Sequence, residues 1–363
     1  MYEVGAKPSI PAPTRRSGVV AYLRRHPVFC LLLLSPGIPE YLSGSSSFAI
    51  LTLNPILFFL FVGLNVGLYG PGVILIREAM IRWKKGWATV FLLGFAYAIV
   101  EEGLDLSTFF NSKAGPVGIL GVYGHWLGVN WVWTVGLMLF HSSISIALPI
   151  LLHRFAFPAL KAQSFLAGKK LYSCLTILFF DSIALFTIVN YWAGPEIIIG
   201  SAISVLAFIY AAKKVPANLL TADLTRQPRS TRKLALLGAV FFPSTFLIGG
   251  VSAGVNIPPM IPMILEVLFT YLIIRTAFRS LGPSDNLAGR VSLAIGLVVP
   301  IMVFGLIASI TTAPLILIAD ISFGLFLRRT WKNNSRQHLV SLARSLSPLT
   351  PNTPLTSEQN RPA

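Results

Sequence analysis

The sequence predicts an all-α, polytopic transmembrane helix bundle of about ten spans with both termini cytoplasmic. Three observations carry that expectation: composition, the length of the apolar runs, and where the charges fall. The 363 residues are 54% hydrophobic with a mean hydropathy of +0.72. Only 12% are Asp, Glu, Lys or Arg, about half the roughly 25% of a soluble chain. That is too few to cover a water-exposed surface, so a soluble enzyme is excluded. Repeated apolar runs, such as 291–310, match the roughly 20 residues needed to cross a hydrocarbon core of about 30 Å. The net charge of +16 would suggest nucleic acid in a soluble protein. With a cytoplasmic N-terminus, however, 28 of the 29 basic residues fall on the inner side and only Lys113 lies outside, as the positive-inside rule requires. The expected partner is therefore the lipid bilayer of the cell (inner) membrane, with no nucleic acid.

Residues 1–26, Pro-rich and basic, read as a disordered tail. Arg24-Arg25 before Val28–Leu34 also fits the start of a signal peptide, but Ser35-Pro36-Gly37-Ile38-Pro39 offers no clean small-residue cleavage site, so an uncleaved first helix is expected. A first transmembrane bundle over 27–212 holds six spans, at 27–48, 54–76, 86–106, 130–152, 171–192 and 196–212. A basic cytoplasmic loop follows at 213–233. A second bundle over 234–327 holds four spans, at 234–255, 259–275, 291–310 and 312–327, and 328–363 forms a second solvated tail. Tryptophan gives an independent check, because indole prefers the membrane interface. Trp83, Trp87 and Trp331 fall at inner boundaries, and Trp126, Trp131, Trp133 and Trp192 at outer ones. Cys30 and Cys174 both lie in apolar runs, which argues against a disulfide framework or a Cys-based zinc site.

An ionisable group inside a bilayer costs at least about 2.5–3.5 kcal/mol and so needs a partner, water or a function. Glu40, Glu78, Glu101, Glu102, Asp181, Glu266, Asp320 and His141 fall within or at the edge of spans. Glu101 and Glu102 are adjacent near the outer end of the third span and cannot both face lipid, since helix neighbours differ by about 100°. Glu101 and Asp105 share a face at i, i+4. Asn130, Thr134, His141 and Ser145 form one polar stripe on the fourth span and should face the interior. Asp181 lies near mid-depth in the fifth span. Ser35–Glu40 and Tyr69–Gly72 read as Pro/Gly breaks in the first and second spans, tolerated only where protein or water satisfies the backbone. Arg77 and Glu78 are expected to snorkel at the inner boundary. Glu266 and Asp320 should turn away from lipid. Glu101 and His141 are expected to border one polar cavity opening outward, with Glu102, Asn130 and Asp181 as neighbours and Glu40 near its mouth.

Glu101-Glu102 followed by His141 on the next helix resembles the CAAX-protease and bacteriocin-processing family of intramembrane metalloproteases. The resemblance covers about residues 86–192. It implies a divalent metal such as zinc, with Glu101 or Glu102 as catalytic base and His141, beside a carboxylate such as Glu101, as ligand; from its own place in the fifth span Asp181 offers a third oxygen ligand or a proton carrier. The chain departs from that pattern: Leu104-Asp105-Leu106 stands where the family continues to an Arg, Leu137 stands where it has Phe, and in place of a second His there are only Asp181 or Asn190. A second likeness, over about 30–155, is to bacterial polytopic membrane proteins that combine Glu40–Ser45, Ile76-Arg77-Glu78 and Val129-Asn130-Trp131, and it brings no activity with it. Three functions stay open: a metalloprotease-like hydrolase, a proton- or cation-coupled transporter using the same carboxylates with Glu266 and Asp320, and a structural membrane protein. A compact acidic cluster favours the first and acids dispersed over many spans favour the second.

Overall fold

Helices dominate the computed structural model, which describes residues 22–23, 25–46, 51, 53–221, 230–282, 286–308, 315–329 and 332. The expected tails lie mostly outside those residues, as does the middle of the 213–233 loop. We number the helices α1 (Pro27–Leu42), α2 (Pro55–Arg82), α3 (Trp87–Asp105), α4 (Trp131–Ala156), α5 (Lys169–Val189), α6 (Pro195–Lys214), α7 (Thr231–Gly254), α8 (Met260–Leu281), α9 (Leu287–Ile307) and α10 over 315–329. Eight of them, α2 to α9, are long and apolar enough to cross a membrane, while α1 is shorter. The protein is thus a membrane-embedded helical bundle.

Burial ranks the helices. In its most apolar stretch α4 is 78% buried and α3 67%, against 6% for α5 and 11% for α6. The outer helices present apolar side chains all round, as a lipid-facing surface does, whereas α3 and α4 are enclosed by protein. One core cluster joins Cys30, Ile38, Phe109, Phe140 and Ile144 to Phe241, Ile273 and Val298. The helices after residue 230 therefore share a core with the earlier ones: α7 and α8 pack on the first half of α4, and α9 packs on its second half.

Glycines decide how closely these helices approach. A Cβ on Gly94 of α3 would lie 2.6 Å from Ser142 Cα of α4, so the two backbones are nearly in contact. Gly70 and Gly72 likewise receive Leu32 and Tyr97. For that reason the break expected at Tyr69–Gly72 does not occur: α2 runs unbroken through Pro71, with neighbouring side chains packed against the weakened turn. In α1 the helix also continues through Pro36–Pro39, but over Gly37–Leu42 it changes to a π-helical turn and then ends.

At the Arg82 end of α2 the expectation of snorkelling is corrected. Arg77 and Glu78 are 1% and 2% exposed, because the segment after α4 folds over them. Arg77 donates to the carbonyls of Leu160 (2.6 Å) and Gln163 (3.0 Å) and stacks 3.7 Å over the Phe165 ring. Glu78 accepts from Arg82 Nε at 2.7 Å and from the Phe165 amide at 2.9 Å. At the opposite end of the bundle, residues 106–130 form an ordered cap. It includes a two-stranded hairpin that pairs His125 with Asn130, and its turn, Leu127-Gly128, has positive φ at both positions, as a tight hairpin of this twist demands.

Candidate metal centre

Three π-helical turns converge on the middle of the bundle: Gly37–Leu42, Ile99–Asp105 and His141–Ala147. They carry Glu40, Glu101 with Glu102, and His141. A π turn bonds i to i+5, as Leu106 N–H does to the Glu101 carbonyl at 2.8 Å, and such turns recur at functional sites. Proline contributes to two of them. Pro149 lacks the N–H that would bond the Ser145 carbonyl, and that oxygen instead accepts Ser35 Oγ of α1 at 2.9 Å.

The imidazole of His141 sits between the two glutamates. Its Nε2 is 3.1 Å from Glu102 Oε1, and its Nδ1 is 3.0 Å from both Glu101 Oε2 and Ser145 Oγ. Ser145 holds the hydrogen-bonding geometry at Nδ1. Glu101 Oε2 is in contact but out of line, and it has no hydrogen-bond partner. One donor atom each from Glu101, Glu102 and His141 lies within 4.8 Å of the others. Exposure of the three residues is 1%, 9% and 2%.

Around this group is a polar shell. The Thr108 hydroxyl donates to Glu102 Oε2 and accepts from Trp133 Nε1 at 3.1 Å. The Tyr69 and Tyr97 hydroxyls flank the Glu101 carboxylate, and Tyr97 Oη lacks a hydrogen-bond partner. Tyr69 also donates to Glu40 Oε1 at 2.6 Å, while Ser46 Oγ donates to Glu40 Oε2 at 2.8 Å. Glu40 therefore belongs to the same network, one tyrosine removed from Glu101.

The four polar residues of the expected α4 stripe are all buried, but they do different things. Ser145 orients His141. Asn130 Nδ2 donates to the Thr108 carbonyl at 2.8 Å, and its Oδ1 lies 2.6 Å from His125 Nδ1, so Asn130 fastens the cap that covers Glu102. Thr134 Oγ1 has no partner and touches neither glutamate's hydrogen bonds. Asp181, expected as a ligand, is not in the three-residue group. Its helix α5 packs on α2 and on the Ile99–Asp105 turn, which sets the carboxylate against Gly67. The next residue, Ser182, donates to Asp105 Oδ2 at 3.0 Å. Glu266 and Asp320 are buried, as expected, at 2% and 4% exposure.

The expected cavity, open to the outside, is corrected to a closed site. After Asp105 the chain turns while still inside the bundle, burying Phe109 and Phe110 and tying Phe109 N–H to the Glu102 carbonyl at 3.2 Å. The Asp105 end of α3 and the Trp131 end of α4 are therefore not level. That brings Glu101, near the end of its helix, beside His141, ten residues into the next.

Sequence reasoning missed Tyr69, Tyr97 and Thr108. A usable signal existed for the tyrosines, since both sit mid-span rather than at an interface where the ring's polar tip finds water.

The donor set, two carboxylates and one imidazole, suits a borderline divalent cation. The Ser145 contact fixes the ring as a metal-binding histidine requires. Glu101, Glu102 and Asp105 are buried, and among the described residues no Lys or Arg pairs with them. A buried excess of carboxylates demands protons or a cation. Comparison with known protein families, curated proteins and solved structures finds no match to this chain.

Proposed function

We propose that the protein is a membrane-embedded metallohydrolase whose centre is Glu101, Glu102 and His141. The observation that carries this reading is the compactness of the group: three potential ligand atoms within 4.8 Å, with Glu101 Oε2 buried against His141 Nδ1 but without a hydrogen bond. A divalent ion such as zinc, held there, supplies Lewis acidity for hydrolysis. His141, oriented by Ser145, offers Nε2 as a ligand. Glu102 is fixed by Thr108, and Glu101 Oε2 is free to take a ligand or a proton. The ten helices α1 to α10 are proposed as ten spans with both termini cytoplasmic in the cell (inner) membrane, on the strength of the 28-to-1 charge split.

A second reading, a proton- or cation-coupled transporter, is favoured by one observation: Glu40, Asp105, Asp181, Glu266 and Asp320 extend acidic groups well beyond the central three, over α1, α3, α5, α8 and α10. Metal analysis of purified protein separates the two. Under the hydrolase reading, wild type carries about one equivalent of a divalent metal and Glu101→Gln or His141→Ala each loses it while helical content is kept. Metal-free wild type, or unchanged metal in both variants, removes the hydrolase reading and leaves the transporter.

A further inference from the structure

Away from this centre, α7 and α8 enclose a groove of about 360 Å³ on the outer wall of the bundle. Its floor and sides are Leu236, Leu237, Val240, Phe269, Leu272 and Ile273, and polar groups appear at one end alone. There the lining is Lys233 from α7 with Thr276 and Ser280 from α8. Arg232 and Arg279, both exposed, flank the same end.

Length and charge together select an occupant. From Lys233 to Val240 the groove follows seven residues of α7, about 10 Å, and from Ser280 to Phe269 eleven residues of α8, about 16 Å, at 1.5 Å per residue. That is roughly half of a hydrocarbon core about 30 Å thick, or one leaflet. A ligand that fits is apolar for one leaflet's depth and anionic at its head. Lys233 forms no ion pair among the described residues. It stands in the first turn of α7, where the unpaired N–H groups and the helix dipole also favour an anion.

We propose that this groove binds one anionic glycerophospholipid of the leaflet facing the basic loops, an acyl chain lying along Leu237, Val240 and Leu272 and the phosphate meeting Lys233. The site is independent of Glu101, Glu102 and His141. Lys233 is exposed, and removing a cation from the start of a helix does not weaken the helix. Val240 is also exposed and accepts a larger side chain without disturbing the core.

The test is native mass spectrometry of the full-length chain offered equimolar dioleoyl phosphatidylglycerol and dioleoyl phosphatidylcholine. Wild type should retain one phosphatidylglycerol in preference to phosphatidylcholine. Lys233→Gln should lower that retention about fivefold, the effect of one interfacial charge, and Val240→Trp, which fills the groove, should abolish it, with helical content unchanged by circular dichroism. Equal retention of the two lipids overturns the proposal. Unchanged retention in Lys233→Gln overturns the charged mouth, and unchanged retention in Val240→Trp overturns the groove; either is sufficient.

Discussion

Substituting Gly94→Ala tests whether the approach of α3 to α4 builds the centre. The added methyl would sit 2.6 Å from Ser142 Cα and 2.8 Å from Ser142 Cβ. Ordinary contact begins at 3.4 Å, so the helices must part by about 0.8 Å at this crossing, because backbone cannot yield as a side-chain tip can. If that displacement carries along α3 to Glu102, the 3.1 Å contact with His141 Nε2 lengthens to about 3.9 Å, beyond hydrogen-bonding range. Overpacking costs about 1–3 kcal/mol, and a buried group left unpaired adds about 1–3 kcal/mol. The natural control is Gly63→Ala in α2, where nothing lies within 4 Å of the new Cβ and helix propensity favours alanine by about 1 kcal/mol. Unfolding in a denaturing detergent titration, followed by circular dichroism, should show Gly94→Ala destabilised by at least about 2 kcal/mol relative to Gly63→Ala. Equal stability of the two variants, with metal content preserved in both, would refute the argument that this contact sets the geometry of the site.

Other consequences can be measured as directly. Ser35→Ala strands the Ser145 carbonyl and should cost about 1–3 kcal/mol, whereas the double variant with Pro149→Ala, which restores an N–H to that carbonyl, should recover part of the loss; strictly additive effects in the double-mutant cycle would contradict the account of the π turn in α4. Asn130→Ala removes the fastening of the cap to Thr108 and should raise hydrogen exchange at Ser107–Asn111 before any change in the bundle, and identical exchange in variant and wild type would count against that role. Reporter fusions after Lys113 and after Arg226 should read outside and inside respectively, and finding both on one side would sink the ten-span topology.

Composition and periodicity alone determine that this chain is a helical membrane bundle, because continuous apolar runs of about 20 residues satisfy their own backbone in a bilayer only as helices, and the bilayer makes every interior charge conspicuous. Glu101, Glu102, His141 and Glu40 were legible for that reason, and so was the inward direction of Asn130, Thr134, His141 and Ser145. The sequence could not say that Glu102 rather than Asp181 lies beside His141, since which helix packs on α4 depends on contacts such as Gly94 on Ser142, between residues distant in sequence. Nor did it disclose the π turns. Each replaces i→i+4 bonds with i→i+5 bonds, a change sustained by partners from other helices, as Ser35 of α1 sustains the Ser145 carbonyl of α4. The depth of the centre followed the same rule: Glu101 and His141 meet because Phe109 and Phe110 draw the chain back into the core before α4 begins, and only the assembled core supplies the burial that makes that turn favourable.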